Sequence, residues 1–243
     1  MAAIEYRHIS MAYGEKTIIP DFNLSIDKGE FVTIIGSSGC GKTTILKMVN
    51  GLIKPVAGEI LVNGQNVNQM DLIQLRRSIV YAIQGSVLFP HLTVEQNIAY
   101  VLKLESKPDK KRISETVDKW LNIVGLDASM KKSYPRQLSG GQQQRVGIAR
   151  ALAADPEIAL MDEPFGAVDE ITRATLQDEI KRIHRETGIT ILFVTHDINE
   201  ALKLGTKVLV MDHGELQQYA TPQEIQEHPA NSFVETLLSR KNS

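Results

Sequence analysis

Short, largely apolar runs alternate along this chain with stretches in which apolar residues recur at a helical period. The runs at residues 31–35, 158–161 and 189–194 show little polar alternation, which is typical of strands buried on both faces of a parallel sheet. A further apolar run at 207–211 is followed by the turn residues Asp212-His213-Gly214. Strands that alternate with helices in this way predict an α/β fold.

Two regions follow different patterns. Residues 60–62 are followed by Asn63-Gly64, which is a strong hairpin signal. We therefore expect residues 1–30 and 58–68 to form a small antiparallel sheet beside the parallel one. Residues 86–154 are mostly helical instead. Within them, apolar side chains recur at helical spacing at Ile113, Val117, Trp120, Leu121 and Val124.

Composition narrows the class of protein. A hydrophobic content of 42% is ordinary for a folded domain, and a net charge of −2 argues against a nucleic-acid-binding surface. The single cysteine, Cys40, fits a reducing compartment. We recognise no signal peptide, and no apolar run approaches the ~18 residues of a membrane span, so we expect a soluble, cytoplasmic protein.

The first apolar run leads into a glycine-rich loop, residues 36–43, that matches the pattern G-x-x-x-x-G-K-[ST]. Glycines let successive backbone N–H groups turn toward one anion, and the helix that follows adds its dipole. Lys42 is suited to reach the β- and γ-phosphates of a nucleotide, and Thr43 to offer its hydroxyl to Mg²⁺. The predicted nucleotide-binding residues here are Gly36, Ser37, Ser38, Gly39, Cys40, Gly41, Lys42, Thr43 and Thr44.

Polar residues end two other apolar runs. A carboxylate pair at the end of a buried strand is costly unless a cation or a proton transfer uses it. Because adjacent strand residues point to opposite faces, we expect Asp162 to hold Mg²⁺ and Glu163 to activate water as a general base. His196 follows the next strand, at the edge where open α/β sheets bind ligands, so we expect it to contact the γ-phosphate.

A second glycine motif lies at residues 138–145, Leu-Ser-Gly-Gly-Gln-Gln-Gln-Arg. It indicates a helix N-terminus built to hold phosphate. One chain therefore carries two phosphate-binding motifs, and their relation to each other decides the function.

With these motifs in this order and spacing, the chain resembles the ATP-binding subunits of ABC transporters over nearly its full length. Residues 36–43 are similar to their Walker A motif, residues 158–162 to Walker B, and residues 138–142 to the family signature. Glu163 matches the catalytic glutamate and His196 the switch histidine.

Three further residues match the family pattern. Gln84 matches the Q-loop glutamine, which implies contact with the γ-phosphate and with Mg²⁺. Asp169 matches the D-loop aspartate, and Tyr13 lies where the family has an aromatic residue that stacks on adenine.

The resemblance implies a P-loop NTPase fold with a RecA-like parallel core, an antiparallel β subdomain and an inserted helical subdomain. A single ABC ATPase domain is therefore expected over residues 1–243. Its expected parts are a nucleotide-binding core with the antiparallel sheet (1–85 and 155–215), the helical signature subdomain (86–154) and a C-terminal helical tail (216–243). From residue 214 the sequence predicts a short strand and then two helical stretches, at 222–227 and 232–238.

The resemblance also implies partners. Two copies would pair head to tail, so that Ser139, Gly140, Gly141 and Gln142 of one copy contact the ATP held by the other. Further implied partners are membrane permease subunits and, indirectly, a substrate-binding protein. The chain would then lie on the inner face of the cell membrane, with ATP and Mg²⁺ as cofactors and no nucleic-acid partner.

Residues 84–91, 165–173 and 218–233 are similar to those of importers for glycine betaine, choline and carnitine. Uptake of ergothioneine or another amino-acid-like solute, and an exporter ATPase, remain alternatives. A soluble ABC ATPase acting on DNA or ribosomes is a further alternative, but such proteins usually have two cassettes or a long coiled-coil insertion, and neither fits in 243 residues. A regulator without hydrolysis is opposed by the intact Glu163 and His196. Residues 87–90 form an apolar patch that either packs inside the chain or receives a membrane subunit.

Overall fold

The computed structural model describes residues 1–83, 88–104, 108–166 and 170–239. The strands are β1 (Ala2–Tyr13), β2 (Lys16–Asp27), β3 (Phe31–Gly36), β4 (Ala57–Val62), β5 (Gln65–Asn66), β6 (Ile79–Ile83), β7 (Ile158–Asp162), β8 (Thr190–Val194), β9 (Lys207–Asp212) and β10 (Glu215–Ala220). The α-helices are α1 (Lys42–Val49), α2 (Leu72–Ser78), α3 (Val94–Ile98), α4 (Lys110–Ile123), α5 (Gly140–Leu152), α6 (Glu170–Thr187), α7 (Ile198–Leu204), α8 (Pro222–Glu227) and α9 (Ser232–Ser239). Short 3-10 helices cover Val67–Gln69, Leu102–Leu104, Ala128–Lys132 and Pro135–Gln137.

Six strands form the larger sheet in the order β10-β9-β3-β8-β7-β6. The pairs between β9 and β6 are parallel, whereas β10 runs antiparallel to its neighbour. Every residue of β7 and β8 is buried, as expected for apolar strands covered on both faces. The predicted α/β fold with a parallel core is confirmed.

The side-chain period of two divides the interior into separate cores on the two faces of this sheet. In β8, Ile191 and Phe193 pack into a core shared with α4 and α5. Leu192 and Val194 point the other way, into a core shared with α1 and the antiparallel sheet. Alternate residues along a strand therefore pack against different sets of helices.

The antiparallel sheet has the order β2-β1-β4-β5. Asn63 and Gly64, with φ of 50° and 78°, connect β4 to β5, so the predicted hairpin is confirmed. Left-handed backbone at both central residues matches the twist of the two strands.

The described chain between β6 and β7 consists of helices joined by turns, and Gly125, with φ of 63°, follows the end of α4. The short strand predicted after residue 214 is β10, so the expected tail from residue 216 begins inside a strand and is helical only beyond it. His213 and Gly214 have φ of 47° and 80°, and this turn sends the chain back along β9. Helix begins only at Pro222. None of the described helices is both long enough and apolar enough to cross a bilayer.

Gly36 closes β3 where its backbone pairs with Met211 of β9. Its φ is 150°, and a Cβ there would lie 1.9 Å from the Met211 carbonyl oxygen. We expect Gly36→Ala to lower the free energy of unfolding by about 3 kcal/mol, since backbone strain and a backbone clash add. Urea denaturation followed by circular dichroism measures the loss.

Gly39 provides the matched control. Its φ is 75°, but nothing lies within 4 Å of the position that a Cβ would occupy, so Gly39→Ala should cost only about 1 kcal/mol. Equal losses in the two variants would contradict the role of the β3–β9 contact.

Candidate active site

A cleft of about 350 Å³ lies beside the glycine-rich loop, at the carboxyl edge of the parallel sheet. Open α/β sheets bind ligands at this edge. The cleft brings together most of the residues predicted from separate parts of the sequence. Its lining consists of Tyr13, Ile18, Ser38, Gly39, Gly41, Lys42, Thr43, Thr44, Glu163 and His196.

The loop delivers the N-terminus of α1 to this cleft. The residue before the helix is Gly41, with φ of 100°, which has no side chain to cap the first-turn N–H groups. These donors, together with the helix dipole, favour an anion. Tyr13 lies at the rim of the cleft and is 52% exposed, so its ring is accessible to a flat ligand group.

Lys42 is 5% exposed, and its ammonium group is folded back over the loop. Its Nζ donates to the carbonyl oxygens of Gly36 at 2.9 Å and Ser37 at 2.8 Å. A phosphate would bind the Lys42 ammonium group by taking the place of these neutral carbonyl acceptors, because its charged oxygens form stronger hydrogen bonds.

Two loop side chains point away from the cleft. Cys40 is buried, with its Sγ 3.9 Å from Lys42 Nζ. Ser37 Oγ donates to Asp212 Oδ1 at 2.6 Å, which ties the loop to the end of β9. These two residues therefore offer a nucleotide their backbone groups only. In the sequence Asp212 was recognisable only as a turn residue.

Thr43 and Asp162 meet beneath the loop. Thr43 Oγ1 donates to Asp162 Oδ1 at 3.0 Å, and Asp162 is 8% exposed. A hydroxyl and a carboxylate are hard oxygen ligands of the kind that hold Mg²⁺ together with substrate phosphates. No cluster of three or more carboxylate, histidine or cysteine ligands occurs in the described ranges. The pair itself fits a metal that takes its other ligands from phosphate and water.

The second oxygen of Asp162 has its own partner. Tyr81 Oη donates to Asp162 Oδ2 at 3.1 Å. Burial, followed by the nearby Asp162 charge, raises the pKa of Tyr81 above its ordinary value, so the phenol stays a hydrogen-bond donor. We did not predict this contact from the sequence. The alternation of side chains along β6 does place Tyr81 on the same face of the sheet as Asp162.

Glu163 and His196 face each other at the opening of the cleft. His196 Nε2 lies 2.5 Å from Glu163 Oε1. Strand β7 ends at Asp162, and Glu163 has a left-handed φ of 48°, with its N–H donating to Val194 O at 3.0 Å. Strand alternation, on which the prediction relied, is thus not what separates the two carboxylates. A backbone turn aims Glu163 at the cleft.

A buried carboxylate lies next to this pair. Glu200 is 6% exposed and accepts hydrogen bonds from the hydroxyl of Thr195 and, at 2.9 Å, from Gln177 Nε2. Burial raises the pKa of the Glu200 carboxyl above its usual range. Through these bonds, α6 is connected to Thr195, which directly precedes His196. Local sequence carries no chemical signal for this cluster beyond the helical position of Glu200.

The signature residues lie apart from this cleft. Ser139 caps α5, with Oγ accepting from the Gln142 N–H at 3.2 Å, while Gln142 Oε1 accepts from the Ser139 N–H at 2.9 Å. Ser139 and Gly140 are exposed. Although all of Ser139, Gly140, Gly141 and Gln142 are described, none of them lines the cleft.

Two residues predicted to take part in the site, Gln84 and Asp169, lie outside the described residues. The roles expected for them remain predictions.

Comparison with known proteins assigns the family. Residues 19–166 match the family model described as ABC transporter. The chain belongs to the ABC transporter family. The prediction of an ABC ATPase is confirmed.

Several relatives are named for the uptake or transport of related solutes. The chain is 48% identical over 98% of its length to the ATP-binding protein of a glycine betaine uptake system from Escherichia coli (strain K12). It is 48% identical to a carnitine transport ATP-binding protein from Listeria monocytogenes and 47% identical to a glycine betaine/carnitine/choline transport ATP-binding protein from Bacillus subtilis (strain 168), again over 98% of its length. The chain spans 77% of the first relative but only 60% and 63% of the other two.

Solved structures confirm the fold. A dimeric ATP-binding cassette in a post-hydrolysis state, bound to ADP and Pi, is 34% identical with a TM-score of 0.80, covering 90% of this chain and 98% of its own. A cassette from Clostridium perfringens, described as part of an ABC transporter complex, is 27% identical with a TM-score of 0.85, covering 99% of this chain and 94% of its own.

Glu200 predicts a distinct pH dependence of stability. Below the ordinary carboxyl pKa of 4.5 the group is protonated in both the folded and unfolded states. As the pH rises toward the higher folded-state pKa, the buried group opposes ionisation, so its contribution to stability falls. We therefore expect the free energy of unfolding of the wild type, relative to Glu200→Gln, to decrease in urea titrations as the pH rises above the ordinary carboxyl pKa of 4.5, until the folded-state group ionises.

Glu224 gives a control of opposite sign. The Thr221 backbone N–H, followed by the Thr221 hydroxyl, lowers the pKa of Glu224. The wild type relative to Glu224→Gln should therefore gain stability as the pH rises from below the ordinary carboxyl pKa. Parallel slopes for the two variants would rule out burial as the cause at Glu200.

Proposed function

We propose that this chain hydrolyses MgATP to power the uptake of a quaternary amine through separate membrane subunits. The observation that carries the proposal is the meeting of Glu163 and His196 at the same cleft as Lys42 and Thr43. A phosphate-binding loop, a carboxylate base and a histidine on one cleft are suited to hydrolysis of a nucleoside triphosphate rather than to binding alone.

The loop N–H groups and Lys42 hold the phosphates, and Thr43 with Asp162 holds Mg²⁺. The bound ion supplies positive charge that offsets the charge on the β- and γ-phosphates. Glu163 accepts a proton from water as the water oxygen bonds to the γ-phosphorus. The bond to the bridging oxygen breaks, and ADP leaves with that oxygen. His196 turns from Glu163 to contact the γ-phosphate. The Glu163 carboxylate is then free to act as the base.

A second copy of the chain completes the site. The N-terminus of α5 is exposed and lies outside the cleft of its own chain, yet it has the geometry of an anion site. Ser139, Gly140, Gly141 and Gln142 of one copy therefore cover the ATP held by the other. The dimer described for the relative bound to ADP and Pi supports this arrangement.

The helical region offers a contact surface for a membrane permease. Phe89 is half-buried. Its ring centroid lies 4.4 Å from the ring centroid of Tyr100 and 5.1 Å from the guanidinium carbon of Arg150. Leu88 beside it is buried in the core, and Val87 lies outside the described residues. An aromatic ring with a cation is typical of interface anchors, and supports a position of the chain on the inner face of the membrane.

The solute class follows from the relatives. The relative from E. coli is named for a glycine betaine uptake system, and those from L. monocytogenes and B. subtilis are named for transport of carnitine and of glycine betaine, carnitine and choline. All three solutes carry a quaternary ammonium group. An ATPase subunit does not enclose the solute, so the substrate-binding protein and the permease recognise this group.

We expect Glu163→Gln to lower the rate of ATP hydrolysis by roughly 10²–10⁴-fold, because the amide cannot take the proton from water. ATP binding should persist, so ATP should trap a dimer that gel filtration with light scattering detects. Turnover within a few-fold of the wild type would remove Glu163 from its proposed role.

The trapped dimer also tests the role of the signature. Adding Ser139→Arg to the Glu163→Gln variant should abolish the dimer while each monomer still binds ATP. Thr221→Arg in the same background removes a capping box of the same kind from α8 and should leave the dimer intact. Loss of ATP binding by the monomer on Ser139→Arg would contradict action in trans.

The solute is tested in the assembled transporter. We expect glycine betaine, choline or carnitine to stimulate ATP hydrolysis by the chain reconstituted with its permease and binding protein, while glycine, which lacks the quaternary group, does not. Stimulation by ergothioneine alone would reassign the solute, and transport of the amine in the opposite direction would show an exporter.

A further inference from the structure

The register of the parallel sheet sets Tyr81 under the metal-binding edge. Tyr81 of β6 pairs with Leu160 of β7, and Ile83 pairs with Asp162. Leu160 and Asp162 are two residues apart and therefore point to the same face, as does Tyr81. Tyr81 packs against the core that contains Leu160 and α1, so its phenol extends along this face toward Asp162.

The carboxylate of Asp162 has different donors on its two oxygens. Thr43 donates to Oδ1 from the start of α1, and Tyr81 donates to Oδ2 from the neighbouring strand. Thr43 is itself assigned to Mg²⁺, so its bond to Oδ1 is the one that metal binding exchanges. The bond from Tyr81 to Oδ2 involves no proposed metal ligand besides Asp162 and can persist throughout.

We propose that Tyr81 is a positioning residue for the metal: its hydroxyl holds Oδ2 of Asp162 so that Oδ1 faces the Mg²⁺ bound with the nucleotide. The inference rests on the proposed function, in which Asp162 holds the metal. Rotation about the last side-chain bond of an aspartate is broad, so the strand alone does not define the orientation of the carboxylate, and the donor on Oδ2 is the one that remains once Thr43 turns to the metal.

Hydrogen bonds to a ligating carboxylate act on the metal through the ligand that they orient. Mg²⁺ demands near-ideal octahedral geometry, so a rotated carboxylate binds it less well. A tyrosine that only filled space would contribute to folding but not to metal affinity. The two roles are separable because Tyr81→Phe keeps the ring and removes only the hydroxyl.

The test measures metal binding directly, with Mn²⁺ as the probe. Electron paramagnetic resonance of Mn²⁺ titrated in the presence of ADP should show an affinity about 10-fold lower for Tyr81→Phe than for the wild type. ADP binding in EDTA should change by less than about two-fold. The Mg²⁺ concentration at half-maximal ATPase rate should rise by about the same 10-fold, with little change in the rate at saturating Mg²⁺.

Tyr219→Phe is the matched control. Tyr219 Oη donates to Glu30 Oε2 at 2.7 Å, so this variant also removes a tyrosine–carboxylate bond, but from the β10 side of the sheet. Its Mn²⁺ affinity should equal that of the wild type. Thermal unfolding of all variants shows whether any of them has lost its fold.

The Asp162→Asn variant shows whether a failed prediction concerns Tyr81 or the assignment of Asp162 as the metal ligand. If it loses Mn²⁺ affinity while Tyr81→Phe stays within about two-fold of the wild type, the role of Tyr81 is overturned and the metal assignment stands. If neither variant loses affinity, the assignment of the metal to Asp162 is itself wrong. Equal weakening of ADP binding by Tyr81→Phe with and without metal would show a packing role only.

Discussion

The hydrogen bond between Thr43 and Asp162 joins the two parts of the chain on which the site depends. One partner begins α1 and the other ends β7, and they are separated by more than a hundred residues of sequence, including the whole helical region. The parallel register makes their meeting possible, because β3, β8 and β7 lie side by side and end at one edge. An error in that register would turn Asp162 to the opposite core.

Much of this arrangement could be predicted from the sequence because its elements have local signals. The fully buried strands, the hairpin at Asn63-Gly64 and the glycine-rich loop each carry a local signal, and all are found where expected. The short strand predicted after residue 214 is also found, as β10, but its antiparallel pairing with β9 was not predicted, because local sequence does not show pairing across a turn.

The candidate site was predicted less evenly. Motif positions led to Lys42, Thr43 and Asp162, whose chemistry follows from residue type and spacing. Side chains that act through another residue have no motif of their own. Asp212 beneath Ser37, and Gln177 beside Glu200, are examples, since each depends on contacts between distant strands and helices that only the assembled fold supplies. The left-handed turn at Glu163 likewise depends on the Val194 carbonyl of the neighbouring strand.

The folded-back position of Lys42 sets a threshold for ligands. Its ammonium group already has two acceptors, the carbonyl oxygens of Gly36 and Ser37. A small monoanion such as chloride presents a single centre and cannot replace both bonds at comparable distances. A polyphosphate offers several oxygens on adjacent phosphorus atoms and satisfies the ammonium group as well as the N–H groups of α1. The carbonyl groups of the loop thus favour phosphate groups over small monoanions, before the rest of the nucleotide makes any contact.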